Sequence, residues 1–330
     1  MRTARSLIAG ASLLLLSSWP MLARAESLLV LETKIPLGNV TGCIDHMAFD
    51  QARRRLFVAE LGNNTIGVVD LKASKVIQRI TGLKKPQGIA YVPWSDLLYV
   101  ANAGDGSVRM FKSPDYAPAG RIDLGNDADN IRIDAATRHI LVGYGDGALA
   151  VIDAANNSKL LDMPLKAHPE SFQLDPKQNQ VFVNVPVARA ISVLNLATGQ
   201  QQASWPMRYG DNFAMAIDPE TQRVLVAFRK PAKLVAFAAK DGASVAEADI
   251  CGDTDDVFVD AKRRRIYVSC GEGFLDVLDA SHISYRRLAR IPTVSGARTA
   301  LYVPELDRLL LAVRARSGQP AAIWVYSPVP

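Results

Sequence analysis

Only three cysteines and four histidines occur in 330 residues, and neither type falls into a motif that carries chemistry. CxxCH is missing, which excludes haem attachment in its usual form, and so are CxxC and HExxH, the tight spacings of common metal sites. No GxSxG elbow or paired Cys and His motif offers an activated nucleophile. Of the histidines, His139 and His282 stand apart from the other two and read as surface residues. Amphipathic helix patterns of useful length are also lacking, which disfavours leucine-rich or TPR-type solenoids. Beyond residue 25 no apolar run approaches the ~20 residues that a helical membrane span needs.

What is present is an ordinary globular composition, 22% charged and 49% hydrophobic, which excludes a disordered chain. The first 25 residues differ from the rest. Arg2 and Arg5 precede the apolar run LIAGASLLLL, and ARA at 23–25 supplies small residues where a signal peptidase cuts, so a secretory leader cleaved before Glu26 is expected. An uncleaved anchor is the alternative, against which the shortness of the run argues. The leader carries Arg2, Arg5 and Arg24 and no acid, so its removal brings the formal charge from +5 to +2. A global attraction to nucleic acid is thereby weak, and only local patches count. Residues 1–25 are expected to be signal peptide and 26–330 one domain, periplasmic or secreted.

That domain is a sevenfold repeat. HMAFDQARRRLFVAE, GIAYVPWSDLLYVAN, NIRIDAATRHILVGY, SFQLDPKQNQVFVNV, AMAIDPETQRVLVAF, DVFVDAKRRRIYVSC and TALYVPELDRLLLAV align so that Asp50, Val92, Asp134, Asp175, Asp218, Asp260 and Val303 share one column, spaced by 42, 42, 41, 43, 42 and 43 residues. Each copy reads as two strands around a turn, in which Asp can bond the backbone ahead and Pro can fix φ. A third apolar run follows, then a weaker fourth. Four antiparallel strands every ~42 residues predict an all-β, seven-bladed propeller. The seventh copy stops after its third strand, whereas SLLVLETKIPLG near the start matches a fourth. The two are expected to pair beside residues 321–326, closing the ring and removing an open sheet edge.

LYVAN at 98–102 followed by AGDGSVRMF, with the related IYVSC, LFVAE and VFVNV, resembles the YVTN repeat of bacterial β-propellers, the group that includes YncE-like periplasmic proteins. The resemblance spans essentially all of 26–330. It implies an exported seven-bladed propeller without established catalysis, and it names no ligand.

Propeller geometry turns sequence columns into rings. The loops before each first strand and those joining second to third strands share the channel-mouth face. Five residues before the reference column stand Asp45, Gln87, Asp129, Glu170, Phe213, Asp255 and Arg298; two residues earlier stand Cys43, Lys85, Asp127, His168, Asp211, Asp253 and Gly296. With His46, Asn130, Asn212 and Asp256 these make a mostly acidic mouth, where crowded carboxylates raise one another's pKa and attract cations. Asp and Asn also cap turns, and Arg298 can pair with Asp255, so loop structure is the competing reading. Asp127, Asp129, His168, Glu170 and Asp211 fall on blades three to five, and as ligands they suit a divalent cation such as Ca²⁺ better than Zn²⁺. Tyr144, Phe213 and Phe228 come near the mouth and can either line an apolar pocket or pack between blades.

Cys251, in the loop before blade six, and Cys270, at the end of that blade's second strand, reach the same face. A disulfide is expected there, bracing the mouth near Asp253, Asp255 and Asp256. Cys43 is left as a free or buried thiol. On the opposite face Arg53, Arg54, Arg55, Lys262, Arg263, Arg264, Arg265, Arg286, Arg287 and Arg308 form a basic arc once the ring closes, open to nucleic acid, an anionic surface or an acidic partner. Three functions are therefore weighed: a monomeric binding or scaffold protein with a small ligand or protein partner at the mouth, a divalent-metal hydrolase or lyase at the same mouth, and an anionic-surface binder through the arc.

Overall fold

The computed structural model describes residues 28–330; the proposed leader lies outside the described residues. Seven four-stranded antiparallel sheets follow one another as blades, with almost no helix. Blade one is Met47–Asp50, Arg55–Glu60, Thr65–Asp70 and Lys75–Ile80, and the next five repeat this order. Blade seven is Ala300–Val303, Arg308–Val313, Ala321–Pro328 and then Leu29–Gly38 from the other end of the chain, with Ile35 opposite Ile323 and Leu29 opposite Pro328. The expected ring closure is therefore present.

The core lies between blades. Second and third strands are buried almost throughout, because their alternate side chains meet a neighbouring blade on each face. Fourth strands such as Lys75–Ile80 form the exposed rim. At the closure Ile35 and Leu37 pack with Leu56, Val58, Leu310 and Ile323, joining blade seven to blade one.

Two backbone devices recur with the period, and both bear on function. In each hairpin turn the fourth residue after the reference column is left-handed: Arg54, Asp96, Arg138, Asn179, Gln222, Arg264 and Asp307 all have φ between 51° and 61°. The reference Asp caps this turn, as when Asp50 Oδ1 accepts from Arg53 N at 3.1 Å and Asp260 Oδ1 from Arg263 N at 3.1 Å. The second device is a bulge at the mouth. Asp45 and His46 together face Ala59, Asp129 and Asn130 face Gly143, and Glu170 and Ser171 face Asn184. Register breaks at Gln87–Gly88, Phe213 and Asp255 continue the pattern. An extra residue at this point bends the strand and re-aims its side chain.

Candidate functional site

The consequence of the bulge is direct. All seven residues of the first mouth ring, Asp45, Gln87, Asp129, Glu170, Phe213, Asp255 and Arg298, line one cavity of about 120 Å³ over the channel, joined by His46, Asn130, Ser171, Arg229 and Asp256. A larger cavity of about 430 Å³ continues along the channel between apolar first-strand residues and shares His46 and Asp256 with the mouth.

The second ring is not part of this cavity. Lys85, Asp127, Asp211, Asp253 and Gly296 all have positive φ, from 42° to 83°, a conformation that Gly, Asp and Asn adopt at least cost. Their acidic character thus serves the turn that leads into each blade. This separates the residues grouped as metal ligands. Asp129 and Glu170 enter the cavity, His168 sits 3.7 Å from Asp127 and 3.9 Å from Asp129, and Asp211 pairs with Lys230 Nζ at 3.0 Å. Among the described residues no group of three or more His, Cys, Asp or Glu is arranged to hold a metal ion.

Charge in the mouth is divided into two sides. On one, Arg229 donates from Nη2 to Asp255 and from Nε to the Thr254 carbonyl at 2.9 Å, its guanidinium 3.7 Å from the centre of the Phe213 ring. Arg298 completes that side, donating to Asp253 at 2.8 Å with Nε 3.2 Å from Asp255. On the other side Asp45, Asp129 and Glu170 have few donors. Burial, reinforced by Asp129 and Asp255, pushes Glu170 up to about 7 against the pull of His168 and Arg229. Burial likewise raises Asp45, with Asp129 and Asp255 adding to it and His46 opposing, and it raises Asp256 beside Asp255. For His46 burial disfavours the cation, but Asp45, Asp129 and Asp256 outweigh it and the pKa rises. His168 is held up at about 9, chiefly by the Asp129 carboxylate, with the Gly145 carbonyl 2.6 Å from Nδ1 contributing.

Several expectations are corrected by these contacts. The mouth is not a simple acidic funnel, because three arginines, Arg132, Arg229 and Arg298, offset its carboxylates. Asn212 is fully buried and bonds Asn184 and the Ala190 carbonyl, so it builds the loop and does not face the cavity. Phe228 belongs to the core between blades, Tyr144 bonds Asp162 at 2.9 Å, and Phe213 serves as a platform for Arg229. The cysteines behave as expected: Cys251 and Cys270 are joined, and Cys43 is an exposed free thiol. Arg229 and Arg132 were not anticipated. Arg229 is carried by a second strand of eight residues, Arg223–Lys230, where the other blades have six; the strand runs on through positions that are loop elsewhere, with no added residues to mark it in the sequence.

The basic arc is largely neutralised within the protein. Arg53 pairs with Asp50 and Asp96, Arg263 with Asp260 and Asp307, Lys262 with Asp307, Arg264 with Asp218 and Glu220, Arg287 with Asp276, and Arg308 with Glu32. Arg55 donates to Tyr116 and the Pro114 carbonyl, and Arg265 to the Val329 carbonyl. Among the described residues of the arc this leaves Arg54, Arg55, Arg265 and Arg286 without an ion pair. The clustering is real in space, but its carboxylate partners come both from the same turns, as Asp50 and Asp260 do, and from neighbouring hairpins, as Asp96, Asp218 and Asp307 do.

No protein-family model and no curated protein matches the chain. Among solved structures it is similar to a chain of Kuenenia stuttgartiensis hydrazine synthase, with a TM-score of 0.75 and 17% identity over 85% of this chain and 94% of that one. It is also similar to a chain of a mitotic checkpoint complex, with a TM-score of 0.77 and 11% identity over 97% and 98% of the two chains. At such identities the likeness is one of fold: this chain is a seven-bladed β-propeller.

Proposed function

We propose that this is an exported binding protein of the YVTN-repeat type, whose channel mouth takes a small polar ligand. One observation carries the reading. Seven residues at equivalent positions of the seven blades converge on a single cavity, and the buried carboxylates Asp45, Glu170 and the adjoining Asp256 oppose folding at neutral pH, since burial and mutual repulsion favour their neutral forms. The blades do not require this set, because the interblade clusters are apolar. Groups that cost stability without serving the core belong to a site.

The metal reading has less support, since Asp127 and Asp211 are accounted for by their turns. The arc reading has less because six of its ten charges, Arg263 and Arg264 among them, already hold carboxylate partners. The fold does not choose among these functions, as similar propellers occur in hydrazine synthase and in a mitotic checkpoint complex. The disulfide agrees with export. The test is calorimetric titration of the purified protein with small cationic, anionic and neutral solutes. Binding that is lost in Asp129→Asn and Arg229→Ala is expected, and binding indifferent to both overturns the reading. N-terminal sequencing of the protein recovered from a bacterial periplasm should begin at Glu26.

A further inference from the structure

The mouth has a deficit of hydrogen-bond donors, and the deficit is local. Asp129 lines the cavity and is 7% exposed, and its buried Oδ1 has no hydrogen-bond partner among the described residues. His46 Nε2 and His168 Nε2 both stand 3.9 Å from the carboxylate, beyond hydrogen-bond reach. Glu170 has no hydrogen-bonded partner for its carboxylate, and Asp45 has only the backbone N–H of His46, at 2.9 Å. Arg229 and Arg298 are hydrogen-bonded across the cavity to Asp253, Asp255 and the Thr254 carbonyl, and Arg132 donates to Asn130 Oδ1 and the Ile131 carbonyl. A buried acceptor left unmatched costs free energy that a ligand can recover.

Resting on the mouth as a ligand site, we propose that it binds the protonated amino group of a small aliphatic amine, with Asp129 as its principal acceptor and Glu170 and Asp45 lining the same cavity. The three carboxylates come from blades three, four and one, so they approach from different sides, which suits the fan of N–H bonds on an ammonium better than the flat fork of a guanidinium. A cavity of about 120 Å³ has room for roughly four water molecules at about 30 Å³ each, enough for the ammonium and the first carbons of its chain. The remainder of the ligand extends through the opening.

Protons compete with this ligand. The groups facing the three carboxylates are His46, His168, Asp255, Arg229 and Arg298, with Arg132 and Asp256 beside His46. Glu170 and Asp45 hold protons to unusually high pH, and His168 retains its charge until about 9. Raising the pH therefore exposes carboxylate charge and then removes a cation, and both changes favour the amine.

The experiment is isothermal titration with propylamine, putrescine, tetramethylammonium, guanidinium, acetate, glycerol and CaCl₂, in buffers of different ionisation enthalpy. Expected are binding of the two primary amines, at least tenfold weaker binding of tetramethylammonium, which has the charge but no N–H, and proton release at about pH 6. Asp129→Asn and Glu170→Gln should each weaken the amines at least tenfold while keeping a native circular dichroism spectrum, and Arg264→Ala on the far face should not. Guanidinium binding as tightly as propylamine overturns the assignment of a primary amine. Binding of acetate, glycerol or Ca²⁺ in place of the amines, abolished by Asp129→Asn, overturns it too but leaves the mouth as a ligand site. Failure of every probe overturns both.

Discussion

Replacing Glu170 by Gln should make the protein more stable, by a margin that is absent below about pH 4.5, grows up to about pH 7 and is full above it. The carboxyl is buried among Asp129 and Asp255, and folding moves its pKa from 4.5 to about 7. Between these values the native state holds a proton that the unfolded chain has released, so stability from this group is full below 4.5 and lost as pH rises through 7. The gap corresponds to about 3 kcal/mol at about 1.36 kcal/mol per tenfold change in proton affinity. Gln has nearly the same shape, cannot ionise and can donate its amide to the unpartnered Asp129 Oδ1. With an unfolding entropy of about 2.1 cal/mol/K per residue over a chain of this size, the gain is about 5 °C in Tm. Differential scanning calorimetry of both proteins at about pH 8.5 and about pH 4 reads it directly: a clear upward shift at the first pH and almost none at the second. Equal or lower Tm for Glu170→Gln at the alkaline pH refutes the claim that the mouth is held together against its own charge.

Three further outcomes follow from other parts of the molecule. Removing the Cys251–Cys270 bond by Cys251→Ser with Cys270→Ser should cost about 3 kcal/mol in chemical denaturation, as expected for a loop of this length; an unchanged midpoint rejects a stabilising cross-link. Ile35→Ala, in the strand that closes the ring, should cost about 2–5 kcal/mol, because Ile35 is 1% exposed and packs where the two chain ends meet; a loss below 1 kcal/mol, measured the same way, means that the closure is frayed in solution. Retention on heparin should be weak and barely altered by Arg264→Ala, since that guanidinium already serves Asp218 and Glu220; strong retention lost in this variant restores the basic arc as an anion site.

The ring was legible because its determinants are periodic. Asp50, Asp134, Asp175, Asp218 and Asp260 recur in one column since each caps the same turn, and an apolar run beside each turn has to fill the space between two blades. The closure was legible for a complementary reason: one blade lacked a strand and one strand lacked a blade. Arg229 was hidden because its strand runs two residues further than the others without any change of repeat length, so its column reads as loop in the alignment. The pairing of Arg53 with Asp96 and of Arg263 with Asp307 was hidden because it runs between hairpins more than forty residues apart, at positions on opposite sides of the turn.

The mouth residues posed a harder problem, since two neighbouring columns were both rich in acids and only one faces a ligand. What separates them is backbone conformation. In five blades the outer column is left-handed, a conformation that Asp127, Asp211, Asp253 and Gly296 adopt at low cost and Lys85 shares. The inner column needs nothing of the kind: its position brings any residue to the cavity, and Gln87, Phe213 and Arg298 occupy it as readily as Asp45 or Asp129. In the outer column acidity reflects the turn. In the inner one the backbone is indifferent, so a side chain that buries charge at a cost to folding, as Glu170 does, is best explained by what the cavity holds.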